Sequence, residues 1–157
     1  MDGKPELEYV GFWWRVVASL IDTVLMAIVT LPVLGMVYGT DYWLDSTAIK
    51  GPVDFVVSWL LPAVVVIVFW VSKGATPGKL AIGARVVDAR TGGKPSTGQL
   101  VGRYFGYFVS AVPLGLGLIW VGIDGRKQGW HDKLAGTVVV WGKGSKRLGR
   151  LRWTKVR

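Results

Sequence analysis

The sequence FWWRVVASLIDTVLMAIVTLPVLGMVY, residues Phe12–Tyr38, decides the fold of this chain. It is slightly longer than the roughly 20 apolar residues that a helix needs to cross a bilayer, so it predicts a membrane-spanning helix. Two charges interrupt it, Arg15 at its start and Asp22 about one-third of the way along. Their spacing of seven residues puts them on one helix face, about 10 Å apart along the axis. A carboxylate is costly inside a membrane, which makes Asp22 a candidate functional residue.

A second apolar block, Asp54–Ser72, carries no charge between its ends and predicts a second spanning helix. Pro62 stands in the middle of this block and is expected to kink the helix, because proline removes a backbone hydrogen bond. Membrane helices tolerate such a kink when neighbouring groups satisfy the freed carbonyl.

The third apolar block, Leu100–Ile123, is interrupted by Arg103 and by the sequence PLGLG at residues 113–117. Residues 73–99 before it and the chain after Asp124 are both rich in Lys and Arg. Because cytoplasmic loops carry such an excess, both flanks are expected in the cytoplasm. A re-entrant hairpin that turns at residues 113–117 is therefore favoured over a single kinked span, and both alternatives stay open.

Two β-like runs, Ala84–Ala89 and Gly136–Trp141, are expected to pair into a small sheet on the membrane surface. The predicted fold class is an all-α membrane protein with two transmembrane helices and a re-entrant or kinked third hydrophobic hairpin. A small two-stranded cytoplasmic β element completes it. Residues 1–141 form the predicted membrane domain, and residues 142–157 form a basic cytoplasmic tail.

The composition narrows the class of protein further. Cysteine is absent, which excludes disulfides, thiolate metal sites and cysteine nucleophiles. The net charge of +9 fits attraction to anionic lipid headgroups, since basic residues commonly flank membrane helices. We expect a multi-pass protein of the plasma membrane with both termini in the cytoplasm, and no nucleic-acid partner.

The intramembrane charges have two readings. Arg15 and Asp22 either form an ion pair that holds helices together or belong to a proton or cation pathway. Burial raises the pKa of a carboxylate and a nearby cation lowers it, so a carboxylate under both effects can bind and release a proton. Arg103 is a second candidate partner for Asp22. Gly102 and Gly106 surround it in a G-x-x-x-G spacing, which favours close helix packing.

Two further motifs suggest chemistry that the residues do not support. His131 and Asp132 are adjacent and no nucleophile motif accompanies them, so no enzyme activity is expected. Asp132 is expected to cap a helix or to bridge back to Arg15 or Arg103, with His131 at the membrane interface. Gly74–Lys79 departs from a phosphate loop in its spacing, and it is expected to be a turn that starts an amphipathic surface segment.

The motifs together resemble the RDD family of membrane proteins. They occur in this order: Phe12-Trp13-Trp14-Arg15 with Ile21-Asp22, Gly74-Ala75-Thr76-Pro77-Gly78-Lys79, Arg85-Val86-Val87-Asp88, and Trp130-His131-Asp132-Lys133-Leu134-Ala135-Gly136-Thr137. The arginine and two aspartates that name the family correspond to Arg15, Asp22 and Asp132. The resemblance implies a small integral membrane protein, and some members have been linked to sodium/proton antiport.

Two functions remain open at this point. The first is a proton-coupled transporter of sodium or potassium ions, or a subunit of one, with Arg15, Asp22, Arg103 and Asp132 as its pathway or charge network. The second is a non-transporting scaffold whose charges fix helix packing. No cofactor and no metal site are expected. A chain this small has few helices to enclose a pathway, so a homo-oligomer or a partner membrane protein is expected.

Overall fold

The computed structural model describes residues 7–142, so the predicted basic tail lies outside the described residues apart from Gly142. This part of the chain is mostly helical. In chain order the elements are α1 (Phe12–Tyr38), α2 (Pro52–Lys73), α3 (Pro77–Ala81), β1 (Ala84–Asp88), α4 (Thr97–Ala111), α5 (Leu116–Ile123), α6 (Trp130–Ala135) and β2 (Thr137–Trp141).

Two helices, α1 and α2, are long and apolar enough to cross a membrane. They have 27 and 22 residues and mean hydropathies of 2.2 and 2.4, and they coincide with the first two predicted blocks. Many of their large apolar side chains are exposed, as a lipid environment requires. Gly39 ends α1 with a φ of 69°, a left-handed conformation that glycine adopts without strain.

A π-helical turn, Val56–Leu60, lies just before Pro62 in α2, and the kink expected at Pro62 stays a prediction. A proline ring inside a helix clashes with the carbonyl four residues earlier, which here belongs to Ser58. A wider turn relieves that clash, and such turns commonly occur as single insertions within α-helices.

The third apolar block forms two helices, α4 and α5, whose axes differ in direction by 101°. Leu114 and Gly115 make the corner with φ values of 54° and 75°. The break falls within the PLGLG sequence, where the hairpin turn is predicted. The described residues therefore contain two helices that are each long enough to cross a membrane. A third span exists only if α4 and α5 cross together as one broken helix.

The two β-like runs pair as predicted. Strands β1 and β2 are antiparallel, with Ala84 opposite Trp141 and Asp88 opposite Thr137. The segment before α1 joins them, because Val10 donates its backbone N–H to the carbonyl of Val139 at 3.0 Å. This pairing fixes the start of α1 beside β2 and so places Arg15 near the last helix of the fold.

Candidate functional site

Asp132 is the centre of a buried charge network. It lies on α6, its side chain is fully buried, and Arg15 and Arg103 each donate to one of its carboxylate oxygens. The Arg15 contact is 2.5 Å long and joins residues that are 117 positions apart in sequence. The backbone N–H of Gly129 adds a third donor at 3.0 Å. Asp132 therefore both caps its own helix and bridges α1 to α4.

Each arginine of this network has further acceptors. Arg15 donates to the backbone carbonyls of Val10 and Lys127, and Arg103 donates to the hydroxyl of Thr137 at 2.8 Å. Buried charges are tolerated when they are paired and hydrogen-bonded in this way, and removal of one member leaves an uncompensated charge. The network fastens α1, α4, α6 and β2 to one another.

Helix α6 packs closely on α4, and this packing brings Asp132 into contact with Arg103. A Cβ atom on Gly106 would lie 2.9 Å from the Cα of His131, so only glycine fits at that position. Gly102, the other glycine of the G-x-x-x-G spacing, has no atom within 4 Å of such a Cβ. One glycine of the motif thus makes the helix contact and the other does not.

Asp22 lies apart from this network. Its carboxylate accepts hydrogen bonds from the hydroxyl of Thr76 at 2.6 Å and from the backbone N–H of Gly78 at 2.7 Å. Within residues 7–142, no Lys, Arg or His nitrogen comes within 4 Å of it. The pairing of Asp22 with Arg15 or Arg103 is therefore not present, because both guanidinium groups turn to Asp132 instead.

The Gly74–Lys79 motif provides the partners of Asp22. Short helix α3 packs on α1 so closely that a Cβ on Gly78 would overlap the carbonyl oxygen of Ala18 and lie 2.9 Å from the Cγ of Asp22. Lys79 is buried, with 5% of its surface exposed. The motif therefore packs on α1, and its position at the membrane surface stays a prediction.

His131 is buried against α4, and its position at the membrane interface stays a prediction. Its ring stacks on Tyr107 with 4.0 Å between ring centres, and its backbone N–H donates to the hydroxyl of Ser110 at 3.0 Å. Burial lowers the pKa of His131 far below its ordinary value, and the nearby Arg103 and Arg15 lower it further. The imidazole is therefore neutral at physiological pH.

A groove of about 440 Å³ runs between α1 and α2 from Asp22 toward the loop that joins the two helices. Its walls consist of Asp22, Thr23, Met26, Ala27, Thr30, Leu31, Leu34, Tyr42, Trp43, Ser58 and Pro62. From Asp22 to Leu34 it follows about 18 Å of helix, more than half of a typical hydrocarbon thickness of about 30 Å. It therefore links the Asp22 carboxylate to the opposite end of the spanning helices.

A second carboxylate, Asp54, accepts hydrogen bonds from two residues at the loop end of the groove. The hydroxyls of Tyr42 and Ser58 donate to it at 2.7 and 2.8 Å, and the backbone N–H of Lys50 donates at 2.8 Å. Tyr42 and Ser58 also line the groove. Sequence reasoning missed this cluster, although an acidic residue in the first turn of a helix is a recognisable signal for hydrogen bonding there.

Residues 9–136 match the family model described as the RDD family. The chain belongs to the RDD family. The matched region contains both carboxylates, both arginines of the Asp132 network and the motif that holds Asp22.

Two curated proteins resemble this RDD protein, and both are described only as uncharacterized. One, from Rickettsia prowazekii, is 35% identical over 74 residues, which cover 47% of this chain and 40% of that protein. The chain thus spans less than half of that relative. The protein YxaI of Bacillus subtilis is 29% identical over 147 residues, covering 83% of this chain and 96% of its own length. No solved structure matches the chain.

Proposed function

We propose that this RDD protein is a proton-coupled transporter of monovalent cations, or a subunit of one, with Asp22 as the group that binds the proton or the cation. The observation that carries the proposal is the position of Asp22. This carboxylate has no cationic partner within 4 Å among residues 7–142, and it lines a groove along both spanning helices.

The hydrogen bonds of Asp22 leave room for such a ligand. A carboxylate has about four lone-pair positions, and Thr76 and Gly78 occupy two of them. Hydroxyls of Thr23, Thr30 and Ser58 line the groove beyond it, and hard cations prefer oxygen ligands of this kind. Asp22 and these hydroxyls therefore supply the oxygen donors of a pathway in an otherwise apolar wall.

The proposed orientation puts both termini and the sheet in the cytoplasm of a bacterial cell, beneath its plasma membrane, with α4 and α5 entering and leaving on that side. Two contacts support it: β1 and β2 flank the α4–α5 unit and pair with each other, and Arg126 after α5 donates to the carbonyl of Ala89 after β1 at 2.9 Å. Basic residues on this side would contact anionic lipid headgroups.

Cysteine labelling tests this orientation, because the chain has no native cysteine. Single Cys substitutions at Thr91, Gly125 and Thr47 are exposed to a membrane-impermeant thiol reagent in sealed vesicles. We expect Thr91→Cys and Gly125→Cys to react from one side and Thr47→Cys from the other. Opposite-side reaction of Thr91→Cys and Gly125→Cys would mean that the third unit crosses the membrane.

A groove formed by only two spanning helices needs further protein to separate it from lipid. We therefore propose that the transporting form is a homo-oligomer or a complex with another membrane protein, whose helices cover the open side of the groove. Crosslinking of the protein in native membranes, followed by mass measurement, tests for this form.

One observation favours the alternative function, a non-transporting and non-enzymatic membrane scaffold. Three of the four charges, on Arg15, Arg103 and Asp132, are paired with one another and do not line the groove. In a scaffold, Asp22 would serve in the same way to fasten α3 to α1.

Proton movement in proteoliposomes distinguishes the two functions. Purified full-length protein is reconstituted with a pH-sensitive dye inside, and a sodium or potassium gradient is applied. We expect exchange in the wild type, loss of exchange in Asp22→Asn and retention in Asp41→Asn. Asn keeps the size and much of the hydrogen bonding of Asp22, and Asp41 is an exposed loop carboxylate.

The results can contradict the proposal in two ways. Exchange that persists in Asp22→Asn removes Asp22 from the mechanism. No exchange by well-folded wild-type oligomers with either cation would favour the scaffold.

A further inference from the structure

The loop between α1 and α2, residues 40–50, lies at the end of the groove that is away from Asp22. Tyr42 and Trp43 of this loop belong to the walls of the groove. Leu34, the groove residue of α1 nearest to the loop, is 3% exposed, so this end of the groove is covered. Because the loop joins the two spanning helices, Tyr42 and Trp43 lie between the groove and the water on that side.

Asp54, in the first turn of α2, holds this loop in place. The hydroxyl of Tyr42 and the backbone N–H of Lys50 each donate to one of its carboxylate oxygens, at 2.7 and 2.8 Å. Among the hydrogen bonds of residues 7–142, these two join residues 40–50 to a helix. Tyr42 and Lys50 are also the half-buried residues of the loop, whose other members are exposed. The loop is therefore attached at a single carboxylate.

The two attached residues also contact each other. The Lys50 Nζ lies 3.9 Å from the centre of the Tyr42 ring and donates to the Tyr42 carbonyl, so these two residues are expected to move together. The attachment itself uses neutral donors: among residues 7–142, no Lys, Arg or His nitrogen lies within 4 Å of the Asp54 carboxylate. Water can replace such donors, so the loop can open while the helices stay folded.

A glycine lies at each end of the loop. Gly39 has a φ of 69° and Gly51 a φ of 145°, backbone conformations that glycine adopts at little cost. Hinge movements in proteins concentrate at a few loop positions beside the ends of helices. The loop thus has a hinge position on each side and one attachment that prevents its movement.

We propose that residues 40–50 form a gate over the groove and that Asp54 is the group that holds the gate closed. Release of Tyr42 and Lys50 from Asp54 moves Tyr42 and Trp43 away from the groove and connects it to the water on that side. A gate at this place controls access to Asp22, and it therefore rests on the proposed role of the groove as the cation pathway. Asp54 is a positioning residue that acts through Tyr42, and Asp22 remains the carboxylate that binds the ion.

Cysteine labelling tests the gate without any ion gradient. The chain has no native cysteine, so Ala27→Cys places a single thiol in the groove wall beyond the gate. A membrane-impermeant thiol reagent is added to sealed vesicles from the side at which Thr47→Cys reacts. We expect Ala27→Cys alone to react slowly. Addition of Tyr42→Phe should speed the reaction about tenfold, because it removes a hydroxyl that donates to the charged Asp54.

A second variant and two controls accompany this measurement. Asp54→Asn should also speed the reaction of Ala27→Cys, because a neutral amide accepts weaker hydrogen bonds than a carboxylate. Tyr104→Phe makes the same chemical change as Tyr42→Phe at a tyrosine of α4 that does not line the groove, and it should leave the rate unchanged. Thr47→Cys, on the exposed part of the loop, should react at one rate in every background.

Three results would overturn the gate. Ala27→Cys could react as fast as Thr47→Cys in the otherwise unchanged chain, which would mean that the groove end is not closed. Its rate could be the same with and without Tyr42→Phe, or Tyr104→Phe could increase it equally. Because the labelling requires no transport, a failure of cation exchange in proteoliposomes would contradict the proposed function and leave the labelling result in place.

Discussion

The two aspartates Asp22 and Asp132 have opposite environments. Asp132 is fully buried and receives two guanidinium groups and a backbone N–H. Asp22 is half-buried and receives one hydroxyl and one backbone N–H, both neutral. The same residue type thus serves once as the anchor of a charge network and once as a carboxylate with unused lone pairs.

The difference shows that a buried carboxylate need not take part in transport, since its charge can serve to hold other elements together. Asp132 cannot leave its arginines without a large loss of free energy, because both cations would remain buried without it. Asp22 would give up only neutral hydrogen bonds if it bound a proton or a cation. Stability should therefore depend mainly on Asp132, and any ion exchange mainly on Asp22.

The largest expected effect is that of Asp132→Asn on stability. The change keeps the size of the side chain and leaves Arg15 and Arg103 without a negative partner, which costs about 3–5 kcal/mol. Reversible unfolding in mixed detergent micelles measures the loss. Asp41→Asn, in the exposed loop, is the control and should change stability by less than about 0.5 kcal/mol.

The next effect concerns the contact that holds Asp22. Gly78→Ala should cost about 1–3 kcal/mol, because its Cβ has no space between Ala18 and Asp22. Gly102→Ala is the matched control: its Cβ meets nothing within 4 Å, and alanine is the better helix former. The same unfolding assay compares them. Equal stabilities would show that α3 is not packed tightly on α1.

Much of the fold follows from local pattern. The bounds of α1 coincide with the apolar block that predicts it, and β1 and β2 coincide closely with the two β-like runs. Both features depend on composition over a few turns or a few residues, which a single sequence displays directly. The break between α4 and α5 is likewise marked by proline and glycine.

The partners of the charges do not follow from local pattern. Spacing on α1 puts Arg15 and Asp22 on one face, but the strand pairing of Val10 with Val139 brings Arg15 to Asp132 instead. Periodicity predicts which residues are neighbours on one helix, but it does not predict a contact between Arg15 and Asp132, which are 117 positions apart. The burial of Lys79 and His131 is hidden for the same reason, since it arises from packing between helices.

The buried His131 gives the charge network a dependence on pH. Its folded-state pKa lies below that of the unfolded chain, so the unfolded state takes up more protons and stability falls as pH drops below about 6.5. We expect a loss of about 1.4 kcal/mol between pH 7.5 and 5.5. His131→Phe, which retains a ring to stack on Tyr107, should remove this loss. An equal pH dependence in both proteins would mean that His131 does not titrate on unfolding.

The smallest effect on stability should come from the groove. Thr30 lines it, and its hydroxyl donates to the carbonyl of Met26 within α1, so the bond ties no other element. Thr30→Val keeps the shape of the side chain and should change the free energy of unfolding by less than about 0.5 kcal/mol. If the groove conducts cations, the same change should slow exchange in proteoliposomes, because it removes an oxygen ligand beyond Asp22. A Thr30→Val variant with unchanged stability and slower exchange would show that Thr30 serves the pathway and not the packing. A variant with unchanged stability and unchanged exchange would show that ions do not pass Thr30 in the groove.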